Sequence, residues 1–286
     1  MRYPFIQQHR TTWPVRTMCR VLQVRPSGYY AWTNRAPGRR EVSRLQLIES
    51  IRKVHEQSGG RYGSPRVHRA LRKEGLCCSE KQVARLMRQS QLRSSRCRRF
   101  RVHTTDSRHP YPLAENLLDR QFQQEKLDRV WVADITYVPT DEGWLYVATV
   151  MDLCSRRILG WATADHLRAE LPLEALEQAI RQRCPSGELM HHSDRGVQYA
   201  GQDYQAALER QGITCSMSRS GNCYDNAAME SFFKSFKVEL VYQEHYRTKE
   251  EARASIYPYI ELFYNRQRLH SALGYRSPVE YEACLS

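Results

Sequence analysis

The apolar residues of the chain follow one period in its first third and another beyond. Between Glu41 and Gln57, Leu45, Ile48, Ile51 and Val54 recur every third position, which predicts an amphipathic helix ended by Ser58-Gly59-Gly60. A second helix is predicted from Pro65, suited to a first turn, through Val67, Ala70 and Leu71 to Gly75. A third begins at Ser79, where Gln82 completes a capping-box pattern, and turns Val83, Leu86 and Met87 inward. Two short helices joined across GLCCS, the second laced with Lys81, Arg85 and Arg88, have the layout of a helix-turn-helix. The polar stretch HTTDSRHPYP (103–112) reads as a linker.

Beyond it the period shortens. RVWVADITYV (129–138) is β-branched, aromatic and apolar on both faces, as a central strand should be. WLYVATVMDL and ILGWATAD follow after turns at 141–143 and 155–157, so three strands form an antiparallel meander. A helix (170–183), a short strand ending at Asp194, a helix (about 201–211), the strand ITCSMS and a helix from about 225 to 240 complete the order βββαβαβα, a mixed α/β sheet flanked by helices. A last helix is predicted over about 249–268.

Composition sharpens this picture. Residues 1–110 carry 25 Lys+Arg against 6 Asp+Glu, and the remainder 19 against 25, within a total charge of +13 over 286 residues. The excess is mostly arginine, densest in RSSRCRRFR (93–101), and arginine suits phosphate because its planar fork donates two hydrogen bonds at once. A polyanion-binding module joined to something else is the reading, with double-stranded DNA as the partner and Arg85, Arg88, Arg96, Arg98 and Arg99 as candidate contacts. The nine cysteines include no CxxC pair, so reduced thiols are expected and not a disulfide framework or a four-ligand zinc site. No apolar run reaches membrane-helix length and no secretory h-region opens the chain, so a cytoplasmic, nucleoid-associated protein is expected.

Three acids stand out. Asp134 interrupts an apolar strand, where an ionised carboxylate needs a cation or a cleft. Asp194 closes the fourth strand in HHSDRGVQY, and strand ends in α/β sheets commonly form sites. Glu230 lies early in the helix bearing Phe232, Phe233 and Phe236. Gathered at one cleft, three carboxylates would repel unless divalent cations sat between them, and all-oxygen ligation selects Mg²⁺ or Mn²⁺. Two such ions about 3.5–4 Å apart suit in-line phosphoryl displacement. Lys237, two turns after Glu230, and Lys234 share its helix face and are candidate contacts to a DNA backbone.

VWVADITYV, HHSDRGVQY, SRSGNCYDNAAMESFFKSFKVEL and YNRQRLHSALGYRSPVEYE, with RTMCRVLQVRPSGYYAW and RYGSPRVHRAL before them, resemble blocks of the second-reading-frame transposase of the insertion-sequence-three family. That subunit belongs among the Asp–Asp–Glu transposases and retroviral-type integrases, and the 35 residues between Asp194 and Glu230 match their spacing. The resemblance implies a ribonuclease-H-like core in which Asp134, Asp194 and Glu230 are both catalytic and metal ligands for two Mg²⁺ (or Mn²⁺) ions. It implies that Lys237 contacts a transposon end, that Asn226 acts on the DNA side near Glu230, and that the activity is cutting at element ends followed by strand transfer from the freed 3′-OH. Val197 stands where a small polar residue is more usual, which removes no ligand. The resemblance also implies homo-oligomers on DNA, and an upstream reading frame supplying a further helix-turn-helix and a zipper, as separate subunit or fusion. The expected segments are 1–40, basic and helical; 41–102, helix-turn-helix-like; 103–124, linker; 125–242, catalytic core; and 243–286, a C-terminal helix and tail. A metal-dependent nuclease of the same fold and a non-catalytic DNA-binding regulator remain open alternatives, whereas a tyrosine recombinase built on Tyr275, Arg276 and His270 explains less.

Overall fold

A computed structural model describes residues 2–35, 38–95, 111–219 and 223–285, with the side chains of Cys223 and Tyr224 excepted. Contacts divide the chain into two compact units, Met1–Val54 and His55–Ser286. The first holds three short helices, α1 (Arg2–Gln8), α2 (Val15–Val21) and α3 (Pro26–Thr33), around a small core of Ile6, Met18, Cys19 and Tyr29. α4 (Arg39–Gln57) spans the division between the two units. Of its predicted apolar stripe, Ile51 and Val54 are buried while Leu45 is exposed.

The second unit opens with α5 (Ser64–Lys73) and α6 (Glu80–Gln89), the predicted helical pair. Ser79 caps α6 by accepting the Gln82 N–H at 3.2 Å. Val67, Leu71, Val83, Leu86 and Met87 are buried, so Arg85 and Arg88 are left on the exposed face of α6.

The sheet follows. β1 (Val130–Thr140), β2 (Gly143–Asp152) and β3 (Ile158–Ala164) form the antiparallel meander, with the β1–β2 turn closed at Gly143 in a positive-φ conformation (φ 101°). α7 (Glu170–Arg183) leads to β4 (Met190–Ser193), then α8 (Val197–Ala200), α9 (Gln202–Arg210), β5 (Thr214–Met217) and α10 (Ala227–Glu239). Strand order is β3-β2-β1-β4-β5, with β4 parallel to β1 and to β5, so β1 is central and the sheet is mixed as predicted. One face packs Trp131, Ala133, Ala148 and Val150 against Ala175, Leu176 and Ala179 of α7 and Tyr204 and Leu208 of α9. Side chains alternate along a strand, so Val132 and Asp134 belong to the other face, where α10 packs on β1.

Two expectations need correction. The described part of the linker, from 111 onward, is docked and not a free tether. The Leu117 N–H donates to Ser216 Oγ at 3.0 Å, the Met217 N–H donates to the Glu115 carbonyl at 3.2 Å, and Leu118 is buried, which covers the edge strand β5. The last helix does not run to 268. α11 (Lys249–Tyr257) gives way at Pro258 to a π-helical turn, Pro258–Tyr264, because proline lacks the N–H that continues an α-helix. α12 (Pro278–Glu282) closes the chain. Among the described residues no helix is long and apolar enough to cross a membrane, and seven cysteines are free thiols.

Candidate active site

The β1–β4 ladder sets the site. Trp131 lies opposite His191 and Val132 opposite His192 in parallel register, so two residues further on Asp194 comes level with Asp134 as β4 ends. Both acids, with Tyr146, Gly196 and Tyr199, line one cavity of about 20 Å³. Each accepts a backbone N–H on one carboxylate oxygen: Ile135 to Asp134 at 2.8 Å, and Gly196 to Asp194 at 2.8 Å. A Cβ on Gly196 would come 3.0 Å from Asp194 Oδ1, so glycine permits this close wrap.

Electrostatics at Asp134 is unfavourable to the ionised form. Burial, then the charge of Asp194, holds its carboxyl well above the usual range, and Glu230 adds to the repulsion. The Ile135 N–H and Lys237 work against that rise. Glu230 stands in the first turn of α10 and is exposed, with the protein around its carboxyl pushing its pKa up. Lys237, half-buried on the same helix, places its ammonium 4.4 Å from the centre of the Tyr137 ring. Burial lowers its pKa while Asp134 opposes the shift.

The structure therefore brings Asp134 and Asp194 together and sets Glu230 and Lys237 within electrostatic reach of Asp134. Among the described residues no three His, Cys, Asp or Glu side chains converge on a single cation position. That arrangement is compatible with Mg²⁺, which binds through one or two carboxylates and fills its remaining positions with water and substrate oxygens.

Other expectations fare differently. Asn226, expected on the DNA side, is 6% exposed, and its side-chain amide donates to the Ala133 carbonyl at 3.1 Å. Lys234 is exposed on α10. Arg96, Arg98 and Arg99 lie outside the described residues. His270 is buried and held neutral by its burial and by Arg268, Arg66 and Arg156, so it is unsuited to the recombinase role.

Three features escaped sequence reasoning. Tyr199 is buried beside both aspartates, and its hydroxyl has no partner among the described residues. His191 and His192 are buried behind the site, pushed down to about 3 and about 4 by desolvation. Asp225, fully buried just before α10, accepts from Arg219, Arg120 and Asn116, and Arg219 above all holds its carboxyl below the carboxylate range. Only the adjacent histidines and the polar word YDN hinted at these.

Family models match both the helical pair and the sheet-bearing part of the chain. Residues 43–101 match the model of the HTH-like domain, and residues 124–223 and 211–278 match two models of the integrase core domain. The chain is 42% identical over 264 residues (92% of this chain, 97% of the relative) to the insertion element IS600 uncharacterized 31 kDa protein of Shigella sonnei. A chain of the simian T-cell lymphotropic virus intasome, solved in complex with the PP2A regulatory subunit B56 gamma, aligns with a TM-score of 0.46 at 12% identity, covering 81% of this chain and 73% of that one. The transposase InsF for insertion sequence IS3A of Escherichia coli (strain K12) is 40% identical over 284 residues, 99% of this chain and 98% of that one, and the chain therefore belongs to the IS3 family of transposases.

Proposed function

We propose that Asp134, Asp194 and Glu230 jointly hold divalent cations, Mg²⁺ or Mn²⁺ and two per site, and that the chain cuts and joins DNA there. One observation carries this reading: the carboxylates of Asp134, on β1, and Asp194, just past the end of the neighbouring β4, share a small cavity, and their proximity raises the proton affinity of Asp134. Such a pair favours a hard cation over a proton when one is supplied. When bound, the cations polarise the scissile phosphate and neutralise the charge that builds on it.

The chain's own groups do the rest. Backbone N–H groups of Ile135 and Gly196 fix one oxygen of each aspartate. Asn226 ties the start of α10 to β1 and so sets where Glu230 stands. Lys237 faces the strand at the site, Lys234 contacts the DNA backbone beyond it, and Arg85 and Arg88 of α6 contact the duplex further along. Water attacks the phosphorus at the element's end, the P–O3′ bond breaks, and a 3′-OH and a 5′-phosphate result. That 3′-OH then attacks a target phosphodiester, giving its proton to solvent as the displaced 3′ oxygen leaves. Pairing of two ends calls for a homo-oligomer on double-stranded DNA, with the upstream-frame product as subunit or fusion partner.

The test uses a labelled duplex carrying the element's terminal repeat, with a target duplex and Mg²⁺. Nicked and joined products are expected from the wild type and neither from Asp194→Asn, whose DNA binding stays intact. Nicking without joining, even from a supplied 3′-OH end, would mean a nuclease; unchanged processing by Asp194→Asn would mean that the acids are not catalytic.

A further inference from the structure

Around the base of α10 the second unit carries an excess of positive charge that the acidic site does not use. A cavity of about 510 Å³ is lined by Arg61 from the segment before α5, Arg66 from its first turn, Lys234 from α10, and Arg268 from the segment after the π-helical turn. Among the described residues Glu239 is the only carboxylate on its wall. That carboxylate is engaged: Arg268 donates to it twice, at 2.8 and 2.8 Å, and the Tyr259 hydroxyl once, at 3.0 Å.

Arg66 reaches Glu239 only at 3.8 Å and gives its Nε–H to the Leu269 carbonyl at 2.9 Å. Burial and then the neighbouring charge of Arg268 pull its guanidinium below the usual value. Arg61 is pinned by its Nε–H to the Glu239 carbonyl at 3.1 Å and lies 4.5 Å over the Phe263 ring. These side chains are held in place by bonds to backbone and ring faces, so their charge is preorganised without being neutralised. Such a site favours an anion.

The lining hydroxyls of Ser94, Ser231 and Ser271 add donors of the kind that accompany phosphate contacts. A second cavity of about 310 Å³ shares Arg66, Ser231 and Arg268 and adds Arg156. The two cavities share wall residues, and both are lined by Ser231, the residue after Glu230 on α10.

We propose that this cleft binds the phosphodiester backbone of the DNA strand leading away from the acidic site, with Arg61, Arg66 and Lys234 as its phosphate contacts, while Arg268 stays paired with Glu239. The proposal rests on the DNA-processing reading above and adds the path of the strand. It explains why the helical pair, α10 and the C-terminal segment meet at arginines: the polyanion becomes the fourth partner at that junction.

The test is DNA binding followed by fluorescence anisotropy between 50 and 200 mM salt, on the full chain. Each lost phosphate contact lowers the slope of log K against log salt by about 0.9. Lys234→Gln and Arg66→Gln are each expected to lower it by that amount, and Ser271→Asp, which sets a carboxylate on an exposed part of the wall, to weaken binding at least tenfold. Ser271→Asp also covers the case in which Arg66→Gln fails to fold. Arg181→Gln, on α7 at the sheet's other face, should leave the slope unchanged.

Slopes that stay at the wild-type value in Lys234→Gln, and affinity that stays there in Ser271→Asp, while the wild type binds and cuts DNA, would overturn the cleft and leave the DNA-processing reading standing. A wild type that binds no DNA would remove both. Pyrophosphate serves as a separate probe: if it raises the wild-type melting temperature while the slopes remain unaltered, the cleft is a free-anion site and the strand path is wrong.

Discussion

Asn226 donates its side-chain amide to the Ala133 carbonyl at 3.1 Å, one residue before Asp134 and four before Glu230. This bond couples the strand that carries one acid to the helix that carries another. Breaking it with Asn226→Ala leaves a buried acceptor unsatisfied, at a cost of about 1–3 kcal/mol. The expected outcome is a lower urea midpoint together with a several-fold rise in the Mn²⁺ concentration needed for half-maximal cutting. A stability loss with no change in metal dependence would reduce Asn226 to scaffolding.

Asp134 is destabilising as an ion. Its pKa is raised in the folded chain, so at neutral pH the fold contains a carboxylate that it disfavours. Asp134→Asn keeps the shape and the acceptor for the Ile135 N–H, and should raise the melting temperature in metal-free buffer by about 2–4 °C per kcal/mol recovered while abolishing cutting. Added Mn²⁺ should stabilise the wild type and not the variant. Differential scanning fluorimetry with and without the ion reads both effects.

Gly160 of β3 lies against the backbone of α7. A Cβ there would come 2.0 Å from the Ala175 carbonyl oxygen and 2.7 Å from the Ala179 nitrogen, and neither atom belongs to a side chain that can rotate aside. Gly160→Ala should therefore cost about 3 kcal/mol or more by chemical denaturation, at the upper end for a single added methyl.

His191 and His192 are buried in neutral form, His192 between Ser216 Oγ at 2.9 Å and Ser218 Oγ at 3.2 Å. Their folded pKa values lie below the unfolded 6.5, so the unfolded chain takes up protons first. Stability is complete above about 6.5 and falls as the pH drops toward about 4. At pH 5 His192 alone should contribute a loss of about 2 kcal/mol. Asp134, shifted the other way, gains stability over the same window. The readout is therefore the difference between wild type and His192→Asn in how the melting temperature falls from pH 7.5 to 5: the variant should have the shallower slope.

Much of this was legible along the chain, and the exceptions have a common cause. Runs of β-branched and aromatic residues between turn signals marked β1 to β3, and α7 spans 170–183 as its pattern indicated, because local sequence determines those elements. Asp134 and Asp194 could be paired from an acid inside one strand and an acid at the end of another. The interior role of Asn226 was hidden, since its partner carbonyl lies 93 residues away. The basic cleft was hidden for the same reason: Arg66 meets Leu269 across 203 residues, and no periodicity reports such a meeting. Two reciprocal capping boxes, Thr248 with Glu251 and Ser277 with Glu280, and the break at Pro258 are local signals that the sequence carries.

Glu230 is the most exposed of the three acids, and its membership of the metal site is the claim on which the account turns. The direct measurement is the cutting rate of Glu230→Gln on prebound terminal-repeat DNA in Mn²⁺, at the same DNA occupancy as the wild type. The expected result is a fall of more than about hundredfold, beyond the 10–100-fold typical of residues that only support a metal ligand. Cutting at the wild-type rate would contradict a three-carboxylate site.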